Sequence, residues 1–382
     1  MSSMHAASAP EVRWNLADTP PATRPAPGFE HPGLRAVFLD GAPWRGRPTR
    51  IFAWIGLPEG ASPRRPAPGM VLIHGGGGSA FAHWVEMWTR RGYAAIAMDT
   101  CGHTPDHGSR RRDQHAEGGP PGWGAYETAL EPPTEQWTWH AVDAVLRAHA
   151  LLRATPGVDP RRIGATGISW GGFLASIVAG HDRRLRCVAP VYGCGGVRDS
   201  PGLGLDRQPA GIVDRWEQLW DPLRHVAGAR MPMLWINGTN DFAFTPPMWR
   251  ATQDLSRGRR HLTFLREWAH GHTEGQIRSE IHAFADAELR GARPLARAVE
   301  VRTDENRFHA RFTEGSSLRR AELVWTPESG GPWPGRKWRE TETRLHSGGK
   351  VVAEVPADAA AWFVNVVDDR GLVASTRWFS RS

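Results

Sequence analysis

The chain has 382 residues, of which 40% are hydrophobic and 23% are charged, values typical of a globular protein with a sizeable core. No apolar run approaches the roughly 18 residues that a membrane-spanning helix needs, so the composition excludes both a disordered chain and a membrane span. The net charge is +7, but all except Lys337 and Lys350 of the 47 basic residues are arginine, and they are scattered along the chain. We therefore attribute the charge to a bias toward arginine and expect no nucleic-acid-binding face.

Residues 1–30 are expected to form an extended surface arm, because the four prolines from Pro20 to Pro27 disfavour a helix. This segment has no apolar stretch of the kind found in signal peptides, so we expect a cytoplasmic protein, or a secreted one if a leader has been removed. Three cysteines, Cys101, Cys187 and Cys194, are too few for a disulfide framework and lack the spacing of a zinc site, and we expect reduced thiols.

Residues 31–294 alternate short apolar runs with segments of helical period, a pattern typical of a mostly parallel sheet with helices on both faces. Helical spacing is visible around Trp84 and Trp88, from Trp139 to Ala150, and over Gly172–Ala179. The predicted strands are Arg50–Ile55, Met70–His74, Ala94–Met98, Arg162–Thr166, Arg186–Val191, Met233–Ile236 and Leu262–Leu265.

Residues 295–382 change to a period of two and have no helical pattern, which predicts a small all-β sandwich. Glycine- and proline-containing turns such as 329–332 and 347–349 separate the strands. The predicted strands are Ala298–Arg302, Phe308–Phe312, Ala321–Trp325, Trp338–Thr343, Val351–Val355, Ala361–Val367 and Leu372–Phe379.

The sharpest motif is Gly167-Ile168-Ser169-Trp170-Gly171-Gly172, which stands between a predicted strand and a predicted helix. A nucleophilic serine on such a turn needs glycines two residues to either side, because side chains there would collide with the neighbouring strand and helix. The motif therefore predicts a nucleophile elbow with Ser169 as the nucleophile. The alternative is a simple strand-to-helix turn.

A run of four glycines, Gly75 to Gly78, follows His74 at the end of an earlier strand. Consecutive glycines let the backbone approach a ligand and direct N–H groups toward it, as an oxyanion hole requires. We expect the N–H groups of Gly76 and Trp170 to be the two donors. A flexible turn or a phosphate cradle is the alternative, but neither nucleotide-binding glycine pattern is present.

The acid and the base are expected after later strands, in the chain order serine, acid, histidine. Asp241 follows the turn after Met233–Ile236, and it could orient a histidine or simply cap the next helix. Of the two histidines after Leu262–Leu265, we favour His270 as the general base over His272. The earlier histidines His74, His140, His149 and His181 precede the acid and are expected to be structural. The spacing of His270 and His272 does not fit a metal site, and no cofactor is expected.

Tryptophan is abundant, with 19 residues, and several stand near the predicted site loops. Trp123, Trp170, Trp216 and Trp220 could shape an acyl pocket or stack on a sugar ring, although each taken singly is expected to belong to the core. The long connection 104–133, with His107, Arg110–Arg112 and His115, is expected to contribute to the pocket rim.

The stretch from Val71 to His272 resembles α/β-hydrolase-fold esterases of the dienelactone hydrolase and acetyl xylan esterase kind, especially bacterial proteins with an appended C-terminal immunoglobulin-like module. The resemblance implies a carboxylic ester hydrolase with Ser169 as nucleophile, Asp241 as acid and a histidine of the His270 loop as base. Dienelactone hydrolases proper use a cysteine nucleophile, which position 169 lacks. The matching runs are His74–Gly78, Met98–Gly102, Gly167–Gly172, Asn237–Asp241 and His270–His272, with Trp325-Thr326, Gly331–Trp333 and Asp368–Gly371 in the module.

The expected substrate is a short-acyl ester, including acetyl esters of carbohydrates. A serine peptidase of the prolyl oligopeptidase type shares the elbow and the residue order, but it normally carries a propeller for which this chain has no room. A non-catalytic binding protein on a hydrolase scaffold is the third reading. We expect the C-terminal module to pack against the catalytic domain or to support homo-oligomer contacts rather than to bind carbohydrate through Trp333 and Trp338.

Overall fold

A computed structural model describes residues 12–14, 16, 19–105, 114–304, 306–313 and 317–381 of the chain. Its first part is a nine-stranded sheet in the order β1-β2-β3-β5-β4-β6-β7-β8-β9, with antiparallel pairing from β1 to β3 and between β3 and β5, and parallel pairing from β5 onward. The strands are β1 Thr23–Pro25, β2 Leu34–Asp40, β3 Arg50–Gly56, β4 Ala67–Ile73, β5 Ala94–Met98, β6 Val158–Ile168, β7 Cys187–Val191, β8 Met233–Gly238 and β9 Arg260–Leu265.

Helices cover this sheet, as expected for parallel strands joined by crossovers. The central strand β4 is buried along its whole length, as is β5. The helix α3 is almost entirely buried because it follows the central strand β6 directly. The helices are α1 Ala82–Arg90, α2 Trp137–Ala154, α3 Trp170–His181, α4 Ala210–Trp220, α5 Pro246–Leu255, α6 His272–Gln276 and α7 Ser279–Arg290.

The second part is an antiparallel β domain that bends at one strand, β13. Residues 339–343 of β13 pair with β12, and residues 344–346 pair with β14. The sheet therefore folds over a core that contains Phe308, Phe312 and Val364. The predicted strand Leu372–Phe379 is wrong as a single element, because it divides into β16 and β17 around residues 376–378. The strands are β10 Ala298–Asp304, β11 Arg307–Phe312, β12 Leu318–Thr326, β13 Arg339–His346, β14 Lys350–Glu354, β15 Ala361–Asp368, β16 Val373–Ser375 and β17 Phe379–Ser380.

The β domain packs against β9 and α5 of the first part. Phe363 of the β domain contacts Phe264 of β9 with ring centroids 4.6 Å apart. The Phe264 backbone N–H donates to Ser375 Oγ at 2.7 Å, and Trp378 Nε1 donates to Pro246 O at 3.0 Å. The predicted domain boundary at residue 294 lies between α7 and β10.

The N-terminal segment is more ordered than a free arm. Thr23–Pro25 forms an exposed edge strand on β2, and Trp14 is buried with its indole N–H donating to Trp139 O at 3.0 Å. Sequence patterning missed this strand because its three residues are all exposed and show no hydrophobic alternation. Among the described residues, no helix is long and apolar enough to span a membrane.

Candidate functional site

The strand register brings the predicted site residues to one edge of the sheet. Ile73 of β4 pairs with Gly167 of β6, and Ile168 of β6 pairs with Val191 of β7. These strands are parallel, so the loops that follow them start at the same level. We call this side the carboxyl edge of the sheet.

Ser169 occupies a strained turn at the carboxyl edge. It is the single residue between β6 and α3, with φ 57° and ψ −119°, a backbone conformation that costs free energy for a residue with a side chain. Its N–H donates to Val191 O at 2.9 Å, which ties the turn to β7. The turn therefore presents the Ser169 side chain outward from the sheet, as the elbow motif predicts.

Glycines around Ser169 are required by close backbone contacts. A Cβ on Gly167 would lie 2.1 Å from Gly171 O, and one on Gly171 would lie 2.1 Å from Ile73 O. Gly193, just after β7, is equally confined, because a Cβ there would lie 2.1 Å from Ser169 O. The first two contacts give the physical reason for the G-x-S-x-G spacing. The requirement for glycine at position 193 was not predicted from the sequence.

Ser169, His270 and Asp241 form a hydrogen-bonded chain. Ser169 Oγ lies 2.9 Å from His270 Nε2, and His270 Nδ1 lies 2.7 Å from Asp241 Oδ2. With the proton on Nδ1 donated to the carboxylate, Nε2 is free to accept the serine proton, which is the arrangement a nucleophilic serine needs.

The Asp241 carboxylate is fixed by backbone donors as well as by His270. Its Oδ1 accepts the N–H groups of Ala243 and Phe244 at 2.9 and 2.7 Å, and the residue is 1% exposed. These bonds fix the turn that follows β8 while the other carboxylate oxygen meets His270. The alternative that Asp241 caps the next helix is wrong, because the N-cap of α5 is Thr245.

Tyr192, which the sequence analysis missed, holds the imidazole of His270. Its ring stacks on His270 with centroids 4.2 Å apart, and its hydroxyl donates to Ala269 O at 2.7 Å. Burial raises the pKa of the Tyr192 hydroxyl, so the group stays protonated and remains a donor. Tyr192 also has a positive φ of 61°. The signal that could have found it is its place directly after β7, next to the elbow strand.

His272 lies apart from this chain of hydrogen bonds and contacts the glycine run instead. Its Nε2 accepts the Gly75 N–H at 3.1 Å, and its ring meets Phe81 edge-on at 5.0 Å. A Cβ on Gly78 would lie 2.6 Å from the same Nε2. Thus His270 contacts the serine and the acid, whereas His272 supports the loop that carries Gly76.

The candidate oxyanion donors belong to the glycine run and to the first residue of α3. The Gly75 N–H is donated to His272 and the Gly78 N–H to Gly75 O at 3.0 Å, so two of the four N–H groups in the glycine run are already used. A Cβ on Gly76 would lie 2.9 Å from Trp170 Cδ1. The Trp170 N–H opens α3, where helix N–H groups lack intrahelical acceptors.

The four tryptophans fall into two groups. Trp216 and Trp220 are core residues whose indole N–H groups donate to Gly124 O and Gln136 Oε1. Trp170 and Trp123 instead flank the glycine run, since a Cβ on Gly76 would also lie 3.7 Å from Trp123 Cγ. The indoles of Trp170 and Trp123 therefore limit the space beside Gly76.

Of the other predicted rim residues, His115 packs on Phe38 with ring centroids 4.5 Å apart. His107 and Arg110–Arg112 lie outside the described residues.

The earlier histidines have structural partners. His74 Nε2 accepts the Thr100 N–H at 3.0 Å, and His149 Nδ1 bonds Asp182 Oδ2 at 2.8 Å. His140 bonds Thr134 O at 2.9 Å, and His181 bonds His225 at 2.9 Å.

The part of the chain that the structure describes contains no cluster of three or more His, Cys, Asp or Glu residues suited to a metal ion. The three cysteines are buried and form no disulfide within the described ranges. Burial raises the pKa of the Cys187 and Cys194 thiols, which disfavours thiolate chemistry at either residue.

Two family models match parts of the chain. A model of acetyl xylan esterases matches residues 44–194, and a model of the prolyl oligopeptidase family matches residues 126–288. A curated relative from Bacillus subtilis, described as the uncharacterized peptidase YuxL, is 26% identical over 204 residues. That match covers 50% of this chain, but the chain spans only 28% of the relative.

Solved structures of both kinds are similar. An acetyl xylan esterase from Paenibacillus sp. R4 aligns with a TM-score of 0.57 and 22% identity over 72% of this chain and 91% of its own. Acetyl xylan esterase 1 from Thermoanaerobacterium sp. JW/SL YS485 aligns with a TM-score of 0.53 and 17% identity over 66% of this chain and 84% of its own. The acylaminoacyl peptidase of Pyrococcus horikoshii aligns with a TM-score of 0.50 and 19% identity over 67% of this chain and 42% of its own.

The fold is that of the α/β-hydrolases. Together with the two family models, it supports a serine hydrolase, either an esterase or a peptidase. The β domain is a C-terminal addition to this fold, and its immunoglobulin-like character stays a prediction.

Proposed function

We propose that the protein is a serine carboxylic ester hydrolase that acts on short-acyl esters, including acetyl esters of carbohydrates. The observation that carries the proposal is the chain of two hydrogen bonds from Ser169 Oγ through His270 to Asp241, built on a strained elbow. In the proposed reaction His270 takes the serine proton as Oγ attacks the ester carbonyl. His270 then returns the proton to the leaving alcohol, and water resolves the acyl-enzyme.

The oxyanion of the tetrahedral intermediate is proposed to be held by the N–H groups of Gly76 and Trp170. Donors that are already oriented stabilise developing charge without reorganisation. His272 contributes indirectly, because it accepts the Gly75 N–H and so holds the residue that precedes Gly76.

We propose a short acyl group because the Trp170 and Trp123 indoles lie close to the Gly76 position, beside the proposed oxyanion donor. On the other side of the base, Phe242 is 54% exposed and its ring lies 5.0 Å from that of His270. An exposed aromatic face suits the apolar face of a sugar in the leaving group.

The alternative is a serine peptidase, and one observation favours it. The match to the prolyl oligopeptidase family spans Ser169, Asp241 and His270, whereas the match to acetyl xylan esterases ends at residue 194. Against this, alignment covers 91% of the Paenibacillus esterase and only 42% of the Pyrococcus peptidase. The glycine run also lies within the esterase match alone.

Hydrolysis of p-nitrophenyl acetate, butyrate and octanoate, together with N-acetylalanine p-nitroanilide, tests the proposal. We expect acetate to be the best substrate and Ser169→Ala and His270→Ala to lower kcat by about 10⁴-fold each. Ser329→Ala, at an exposed turn of the β domain, is the matched control and should keep full activity. Faster cleavage of the anilide than of the acetate would instead establish the peptidase.

A further inference from the structure

A groove of about 400 Å³ lies at the edge of the sheet opposite Ser169. Its lining includes the end of α5, the start of β9 at Arg260, the segment before β10, and the connection between β16 and β17. The amino end of β9 lies at one edge of the parallel strands, and the His270 loop follows its carboxyl end. We call this cavity the basic groove; its polar side chains are Gln253, Asp254, Arg259, Arg260, Arg297, Ser375 and Arg377.

The basic groove carries an excess of positive charge. Arg259 pairs with Glu288 at 2.9 Å, and Arg260 pairs with Asp254, the carboxylate of the groove, at 2.8 Å. Within the described ranges, neither Arg297 nor Arg377 has a carboxylate within 4.0 Å. Among the described residues, these two guanidinium groups therefore have no counter-charge.

The titration of neighbouring groups agrees with a positive potential here. Burial, followed by the charges of Arg297 and Arg259, lowers the pKa of His261 to about 4. Burial, followed by the charge of Arg377, lowers the pKa of the Arg250 guanidinium. An anion in the groove would relieve this repulsion.

Gln253, which lines the basic groove, has a buried amide group without an acceptor among the described residues. It is 1% exposed, and its side-chain Nε2 has no acceptor anywhere in the part of the chain that the structure describes. Its backbone O accepts Arg260 Nη1 at 3.2 Å, so the residue is held against the groove. A buried N–H donor without an acceptor is unfavourable, and an oxygen-rich ligand would supply one once the Gln253 side chain turns out toward the groove.

We propose that the basic groove binds an oxyanion with at least two negative charges, of the phosphate or polycarboxylate type. The guanidinium groups of Arg297 and Arg377 hold it, since planar guanidinium forks pair with carboxylate and phosphate oxygens, and the Gln253 amide donates to it. Gln253 belongs to the hydrolase part and Arg377 to the β domain. A bound anion therefore links the two parts and stabilises the folded chain by mass action.

Calorimetric titration of the full chain with pyrophosphate and with citrate tests this proposal, with acetate at equal ionic strength as the monovalent reference. We expect saturable binding of at least one multivalent anion, a rise in Tm with its concentration, and no binding of acetate. Binding of pyrophosphate alone would assign the phosphate type and binding of citrate alone the polycarboxylate type.

Three variants and one control locate the site. Arg297→Gln and Arg377→Gln should each weaken binding at least tenfold. Gln253→Met should weaken it as well, and it should raise the Tm of the free protein because it removes the unpaired donor. Arg24→Gln makes the same charge change on β1, the opposite end of the sheet, and should bind as the parent does.

Two results would overturn the proposal. One is the absence of saturable binding of either multivalent anion at millimolar concentration. The other is an equal loss in Arg24→Gln and Arg377→Gln, which would show a general charge effect. Ester hydrolysis by the same variants is expected to stay at the parental rate, so the outcome here is separate from the test of Ser169.

Discussion

The polar side chains at the two ends of the strands of the nine-stranded sheet differ in whether the chain supplies their hydrogen-bond and charge partners. At the carboxyl edge the chain itself supplies the partners: Asp241 accepts from His270, Ala243 and Phe244, and His270 bonds Ser169. At the other edge, within the described residues, the Arg297 and Arg377 guanidinium groups have no carboxylate partner and the Gln253 amide nitrogen has no acceptor. We infer that the first edge is preorganised for chemistry, and we propose that a bound anion completes the second.

The two edges also differ in how their conformation is maintained. Holding Ser169 at a positive φ costs free energy, and the surrounding contacts with Gly171 and Gly193 leave that turn no alternative. In the basic groove, Arg259 and Arg260 are each countered by a single carboxylate, and we expect the charges there to be screened by salt.

The largest expected effect concerns the acid at the carboxyl edge. In Asp241→Asn the amide oxygen keeps the Ala243 and Phe244 N–H groups, so the amide NH₂ faces His270 Nδ1 and forces the proton to Nε2. The imidazole then cannot accept the serine proton, and we expect kcat on p-nitrophenyl acetate to fall about 10⁴-fold. Asp358→Asn, exposed in the β domain, is the control. Activity within tenfold of the parent would break the assignment of Asp241.

The next effect concerns acid stability at the other edge. His261 has a pKa of about 4 in the folded protein and about 6.5 when unfolded, so the unfolded chain binds more protons between these pH values. Stability therefore decreases as the pH falls from 6.5 to 4, by about 3 kcal/mol from this residue. We expect His261→Gln to lose less stability over that range in urea unfolding, whereas the exposed His346→Gln should match the parent. An unchanged pH dependence in His261→Gln would contradict the burial argument.

The smallest effect distinguishes the two histidines of the site. His272→Ala removes the acceptor for the Gly75 N–H, so Gly75, the residue before Gly76, is held less firmly. We therefore expect kcat to fall about tenfold while KM changes little. His272→Gln offers a side-chain oxygen as acceptor and should recover part of the loss. A loss as large as that of His270→Ala would mean that His272 takes part in proton transfer. Equal kcat in the Ala and Gln variants would contradict the positioning role.

Much of the fold could be predicted because its elements have strong local signals. Ala94–Met98 was delimited correctly and Phe308–Phe312 to within one residue, from apolar runs and alternation, and the α/β-hydrolase fold is confirmed. The edge strand Thr23–Pro25 could not be found, since its stability comes from pairing with β2 rather than from its own residues.

The candidate site shows the same division. Ser169 could be predicted from the sequence because the close backbone contacts require Gly167 and Gly171, two residues to either side of it. The different roles of His270 and His272 are not visible, because residues two apart on a loop can point anywhere until the loop is placed. Tyr192 was missed for the same reason, as its stacking on His270 joins segments 78 positions apart in the chain.

Reaction with a labelled fluorophosphonate, followed by peptide mass spectrometry, tests the central claim most directly. The account predicts a single adduct on Ser169, formed rapidly by the parent, slowly by His270→Ala and Asp241→Asn, and at the parental rate by Arg377→Gln. Failure of the folded parent to react, or attachment at another residue, would contradict the claim that the carboxyl edge carries an activated serine.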